Sequence, residues 1–154
     1  MRASLSKLVV VLLVASVGLW GADASVGKWK LNLAKSKYDP GPPPKSLTRI
    51  HEAHGEGVKV TIEGVNAEGK PISSQATVYY DGKDYPVTGS ETADTVAVKR
   101  IDAYNVEGTT KKGGKVTSTF KGVVSKDGKV MTFTATGTNA KGQPFKNVGV
   151  YVKQ

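Results

Sequence analysis

The chain has 154 residues, with 22 Lys and Arg against 13 Asp and Glu for a formal charge of +9, and is 38% hydrophobic and 23% charged. That balance fits one globular domain and excludes a largely disordered chain. Cysteine is absent, which excludes a disulfide framework and a lipid anchor through a Cys.

At the N-terminus, Arg2 and Lys7 precede an apolar run from Leu8 to Trp20, followed by Gly21-Ala22-Asp23-Ala24. A basic start, an apolar middle and a small-x-small end form the pattern of a secretory signal, with cleavage expected between Ala24 and Ser25. The run is short for a bilayer span, which needs roughly 20 apolar residues; an uncleaved N-terminal anchor is the alternative. Cleavage would remove Arg2, Lys7 and Asp23 and leave a charge of +8. Residues 25–154 are therefore expected as one basic domain, periplasmic or secreted, without a membrane span and held together by core burial alone. Its lysines are spread over nearly every turn and strand rather than gathered in a block. Such a surface reads first as solvated and second as a face for an anionic polymer or membrane.

Beyond the signal, apolar residues alternate with a period of two, and no helical period is present. Val58, Val60 and Ile62 alternate with Lys59, Thr61 and Glu63. Val116, Phe120 and Val124 oppose Thr117, Thr119 and Lys121, and Met131, Phe133 and Ala135 oppose Thr132, Thr134 and Thr136. Each pattern gives one dry and one wet face. Corners fall at 66–70, 81–83, 113–114, 127–128 and 139–143, where Gly, Asn and Asp tolerate the positive φ of tight turns. The resulting strands are 26–33, 46–54, 57–65, 71–80, 84–89, 94–101, 103–111, 115–125, 129–138 and 143–153. An Asn-Ala-x-Gly-x corner followed by Pro occurs twice, at Asn66–Pro71 and Asn139–Pro144. The segment 34–45, with Pro40, Pro42, Pro43 and Pro44, is expected to be extended and to cross one end of the domain as a strap. Short links between so many strands favour an all-β, antiparallel up-and-down meander closing into a barrel of about 8–10 strands over a two-layer sandwich.

Val26-Gly27-Lys28-Trp29-Lys30-Leu31 resembles the Gly-x-Trp opening of the calycins, in particular the first strand of fatty-acid-binding proteins, and Val150-Tyr151-Val152-Lys153 resembles their closing strand. The resemblance implies a β-barrel with its first Trp packed at one end and an interior for an apolar ligand. Two departures stand out. The Pro-rich segment replaces the family's helical lid, and Gly149-Val150-Tyr151 stands where the family carries the Arg-x-Tyr that receives a ligand carboxylate. Exported and lidless, the chain is closer in pattern to a bacterial lipocalin-like protein.

Arg100 shares its parity with Val96 and Val98. It either points inward, where it needs an anionic partner, or lies at the rim in water, the reading we favour. Tyr80 and Tyr104 fall on inward parities, suited to a ligand pocket and equally to a core. Phe120 and Phe133 complete the candidate ligand-binding residues. Ser74, Ala76, Ser118, Gly122, Ala135 and Gly137 are small inward positions that leave a cavity unless large side chains fill it. His51 and His54 lie three apart on a strand, hence on opposite faces, which argues against a shared metal. No phosphate loop, nucleophile elbow or calcium loop is recognisable. The expectation is a non-catalytic barrel, without cofactor, that binds a small apolar or amphipathic molecule. The alternative is a basic surface module for an anionic polymer or membrane face. Nucleic acid is not expected, for want of a basic stripe interleaved with aromatics.

Overall fold

A computed structural model describes residues 23–154; residues 1–22, and with them nearly all of the expected signal, lie outside the described residues. Among the described residues, eleven strands form one antiparallel sheet. They are β1 (Gly27–Leu31), β2 (Lys37–Asp39), β3 (Ser46–His54), β4 (Gly57–Val65), β5 (Pro71–Val78), β6 (Tyr85–Thr88), β7 (Thr95–Arg100), β8 (Asn105–Lys112), β9 (Lys115–Val124), β10 (Val130–Thr138) and β11 (Pro144–Lys153). From β3 to β11 each strand pairs with its sequence neighbours, and β1 lies between β3 and β11, so ten strands close into a barrel.

The remaining strand, β2, falls within the Pro-rich segment. A 3-10 turn at Leu33–Lys35 breaks the chain after β1, and Lys37–Asp39 then pairs with Lys146–Val148 of β11. Thus β1 and β2 are two pieces of one interrupted strand along the same edge of β11. The break is stitched by Asn32 N–H donating to the Val150 carbonyl at 2.7 Å and Val150 N–H donating to Ser36 Oγ at 2.9 Å. Only the Pro40–Lys45 stretch is left as a connection, and Pro40 and Pro42 line a groove with Thr92, Thr110 and Thr117 at that end of the barrel.

The twin corners are built alike. Asn66 Oδ1 accepts the N–H groups of Glu68 and Lys70, as Asn139 Oδ1 accepts those of Lys141 and Gln143. Gly69 and Gly142 supply the left-handed residue, at φ +86° and +75°. One expectation of parity fails. Val116 is 56% exposed, because the pairing of β8 with β9 shifts between Thr110 and Lys111 and leaves Thr117 as an extra residue. Such a bulge reverses the facing of every residue before it.

Inward residues form two packed clusters. Trp29, Leu31, Val124, Met131 and Tyr151 close one end; Val58, Val78, Val98 and Phe120 pack part of the wall, and Phe133 touches both. Trp29 is fully buried, and its indole N–H donates to the Ser25 carbonyl at 2.8 Å. Truncating Trp29 empties the plug that joins β1 to the closing strand. Trp29→Ala is expected to lower unfolding free energy by about 3–5 kcal/mol, measured by urea denaturation, whereas a loss below about 1 kcal/mol would place the end plug elsewhere.

Candidate functional site

Between these clusters the barrel encloses a cavity of about 270 Å³, walled mainly by apolar side chains. An engineered apolar cavity of about 150 Å³ already takes up benzene. Space remains because several inward positions of β5 and β9 are small. Ser74, Ala76, Ser118 and Gly122 all border the cavity, while Ala135 packs on the Phe120 cluster. Backbone crowds the last small position, Gly137, whose Cβ would meet the Thr117 carbonyl oxygen at 2.0 Å.

All five aromatic and basic residues singled out from the sequence border this one space. Phe120 and Phe133 stack on each other at 4.9 Å between centroids and form part of the wall. Tyr104 comes from the turn before β8 and is 39% exposed, so it lies at the opening and not on a strand. Tyr80 follows β5 at φ +59°, in the left-handed region, and Arg100 ends β7 with its guanidinium 4.1 Å from the centre of the Tyr80 ring.

Both readings of Arg100 hold in part. Its side chain is 40% exposed at the rim, yet it borders the cavity and is paired, with Nη2 donating to Asp23 Oδ2 at 3.1 Å. The Tyr80 hydroxyl donates to that same oxygen, and Ser25 N–H and Oγ–H donate to Asp23 Oδ1. Burial acts to raise the Asp23 pKa, but the hydrogen bonds from Tyr80 and Ser25 and the Arg100 charge together leave it below the ordinary value. Burial, and then this bond to the carboxylate, push the Tyr80 hydroxyl up to about 12. While Asp23 is retained, a carboxylate of the chain itself occupies the opening; the cleavage expected between Ala24 and Ser25 would remove it and leave Arg100 without that partner.

Deeper polar groups come from β3, which shows no simple alternation. Antiparallel neighbours directly opposite one another share a face, and β3 sets Arg49 opposite Ile62 and His51 opposite Val60. Both therefore point inward and border the cavity. His54 is exposed, so the two histidines part as their spacing requires. Arg49 lies 4.2 Å from the Phe133 ring centre and 5.6 Å from that of Tyr151. Those contacts serve the guanidinium face at about 0.5–2 kcal/mol. Its Nε, and both ring nitrogens of His51, are buried without a hydrogen-bond partner. The two ion pairs among the described residues are Arg100–Asp23 and Lys111–Asp84, so Arg49 has no carboxylate of its own.

No family model and no curated protein sequence matches the chain. The fold is that of a calycin-like barrel distantly resembling the fatty-acid-binding proteins. Among solved structures it is similar to a crystal structure of zebrafish ileal bile acid-binding protein complexed with cholic acid. The TM-score is 0.53 at 16% identity, over 85% of this chain and 99% of that one, a likeness of fold.

Burial, with the Arg49 charge adding to it, lowers the His51 pKa from 6.5 to about 3. Above pH 6.5 the imidazole is neutral folded and unfolded alike. Below it the unfolded chain binds a proton that the folded chain refuses, so stability is lost from pH 6.5 down to about 3. Relative to His51→Gln, the wild-type chain is expected to lose about 2–3 kcal/mol between pH 6.5 and 4.5. Parallel urea curves at the two pH values check this; a difference independent of pH would mean that His51 titrates normally.

Proposed function

We propose that the protein is an exported, non-catalytic barrel that takes a small apolar or amphipathic molecule into its interior. The observation that carries this reading is the cavity of about 270 Å³ left open between two packed clusters. Pockets that bury a small molecule are concave and mostly apolar, with a few placed polar groups; here Arg49, His51, Tyr80 and Arg100 are those groups. The bile-acid-binding barrel of similar fold supports the reading by analogy, and the pattern of residues 1–24 supports export. A second reading, a basic module for an anionic polymer or membrane face, has one observation in its favour. The outer groove across β7 to β11 is bordered by Lys99, Lys121 and Lys146, opposed there by Glu107. Exposed charges of this kind are screened at physiological salt, whereas the cavity lies within the barrel behind apolar walls, so the first reading is preferred.

The test is titration with the neutral probe N-phenyl-1-naphthylamine. Wild-type protein is expected to enhance its fluorescence saturably, at one probe per chain. Ala76→Trp, which fills the cavity, is expected to weaken uptake at least tenfold, about 1.4 kcal/mol. Thr77→Trp, one residue along on the opposite face of the strand, is expected to leave it within about twofold. Equal uptake by both variants would move binding to the outer surface.

A further inference from the structure

The cavity is bordered by two guanidinium groups in different states. Arg100 at the opening is neutralised by Asp23, whose carboxylate also takes the Tyr80 hydroxyl and both donors of Ser25. Arg49, farther along the wall, has its face against Phe133 and its charge unmatched by any described carboxylate. A guanidinium stacked on a ring still presents its N–H donors in its own plane, and a carboxylate accepts from two of them at once. Two residues on, and on the same face of β3, His51 is about nine-tenths buried with both ring nitrogens unpartnered. A neutral imidazole adds no charge but offers one further N–H to an acceptor. Apart from the group at the opening, the cavity is thus bordered by one cation, one neutral donor, apolar wall and the uncharged side chains of Ser74, Gln75, Ser90, Thr92, Thr110 and Ser118. The titratable side chains beyond them, Asp23, Tyr80 and Arg100, are engaged with one another, while Tyr104 stands at the opening.

We infer that Arg49 and His51 form an anion-binding site inside the barrel, and that the molecule bound there is a small amphipathic carboxylate. Its charged group lies on Arg49 and its apolar part along Val58, Val60, Ala76 and Val98. This rests on the interior-binding reading above and adds to it the charge and orientation of the ligand. It also places the anion contact at a residue two positions before His51, and not at Arg100, for which the sequence pattern favoured a place at the rim in water. No carboxylate of the chain offsets Arg49 whether or not Asp23 is cleaved away, so one negative charge suffices to match it. A doubly charged group would leave a net negative charge among apolar walls, which is the costlier arrangement.

Competition against the naphthylamine probe with decanoate and with decanol tests this, since the pair share an apolar chain and differ in charge. Wild-type protein is expected to bind decanoate at least tenfold more tightly than decanol. Arg49→Gln should abolish that preference by weakening decanoate alone, with decanol within about threefold. Arg49→Lys should keep part of the preference, and Lys99→Gln, which removes an equal charge on the outer groove, should keep it all. Because Arg49→Gln removes an unpaired charge, its urea midpoint is expected to equal or exceed that of the wild type, which a purely structural role would not allow. Equal wild-type affinity for the two competitors overturns the carboxylate site while leaving interior binding intact. Loss of preference in Arg100→Gln but not in Arg49→Gln overturns it in favour of the opening. Failure of both competitors and of the probe itself overturns the interior-binding reading on which the site rests.

Discussion

The fold depends on the free edge of β11. A meander of strands ends with two unpaired edges, each a row of unsatisfied N–H and C=O groups. Here the C-terminal half of β11 takes β1 and the N-terminal half takes β2, so one ten-residue strand both closes the barrel and fastens the segment that follows the first strand. Trp29 and Tyr151 are buried on the two sides of that seam, with Leu31 paired to Tyr151 across it. Closure then forces every inward side chain from β1 and β3–β11 into one shared space, and the number and size of those side chains decide whether anything is left over.

Something is left over because large and small residues are unevenly placed. Trp29, Met131 and Tyr151 fill one end completely, while Ser74, Ala76, Ser118 and Gly122 leave the middle open. Apolar walls around such a space raise the cost of any charge placed there, and three charged groups border it nonetheless. Asp23 and Arg100 neutralise each other at the opening with the help of Tyr80. Arg49 is left with aromatic faces and His51 is held neutral, so the interior carries an electrostatic asymmetry that the packing by itself does not explain.

Much of this was legible in the amino-acid sequence. Alternation at Val58–Ile62 and Met131–Ala135, together with Gly, Asn and Asp corners, located ten strands to within a few residues, and short links implied the meander. The candidate residues on those strands do border the cavity. What escaped notice did so for identifiable reasons. Three residues of β2 pair only because the 3-10 turn and Ser36 return the chain to β11, a long-range event in a segment whose prolines argue against a strand. Val116 was misplaced by the extra residue at Thr117, since a bulge leaves no local hydrophobic mark. Arg49 and His51 were overlooked because alternation seeks apolar residues inside, and Leu47-Thr48-Arg49-Ile50-His51 offers polar ones. A signal was present all the same: the two-residue link Gly55-Glu56 fixes the register of β3 on β4 and sets both opposite the inward Ile62 and Val60.

The central claim is that closure of this sheet leaves an interior which holds a guest molecule, and native mass spectrometry of the protein purified from its own host addresses that most directly. The account predicts a single small-molecule adduct, one per chain, that is released when the barrel is unfolded. Bare-chain mass alone, persisting after exposure to neutral and anionic amphipaths, would contradict it.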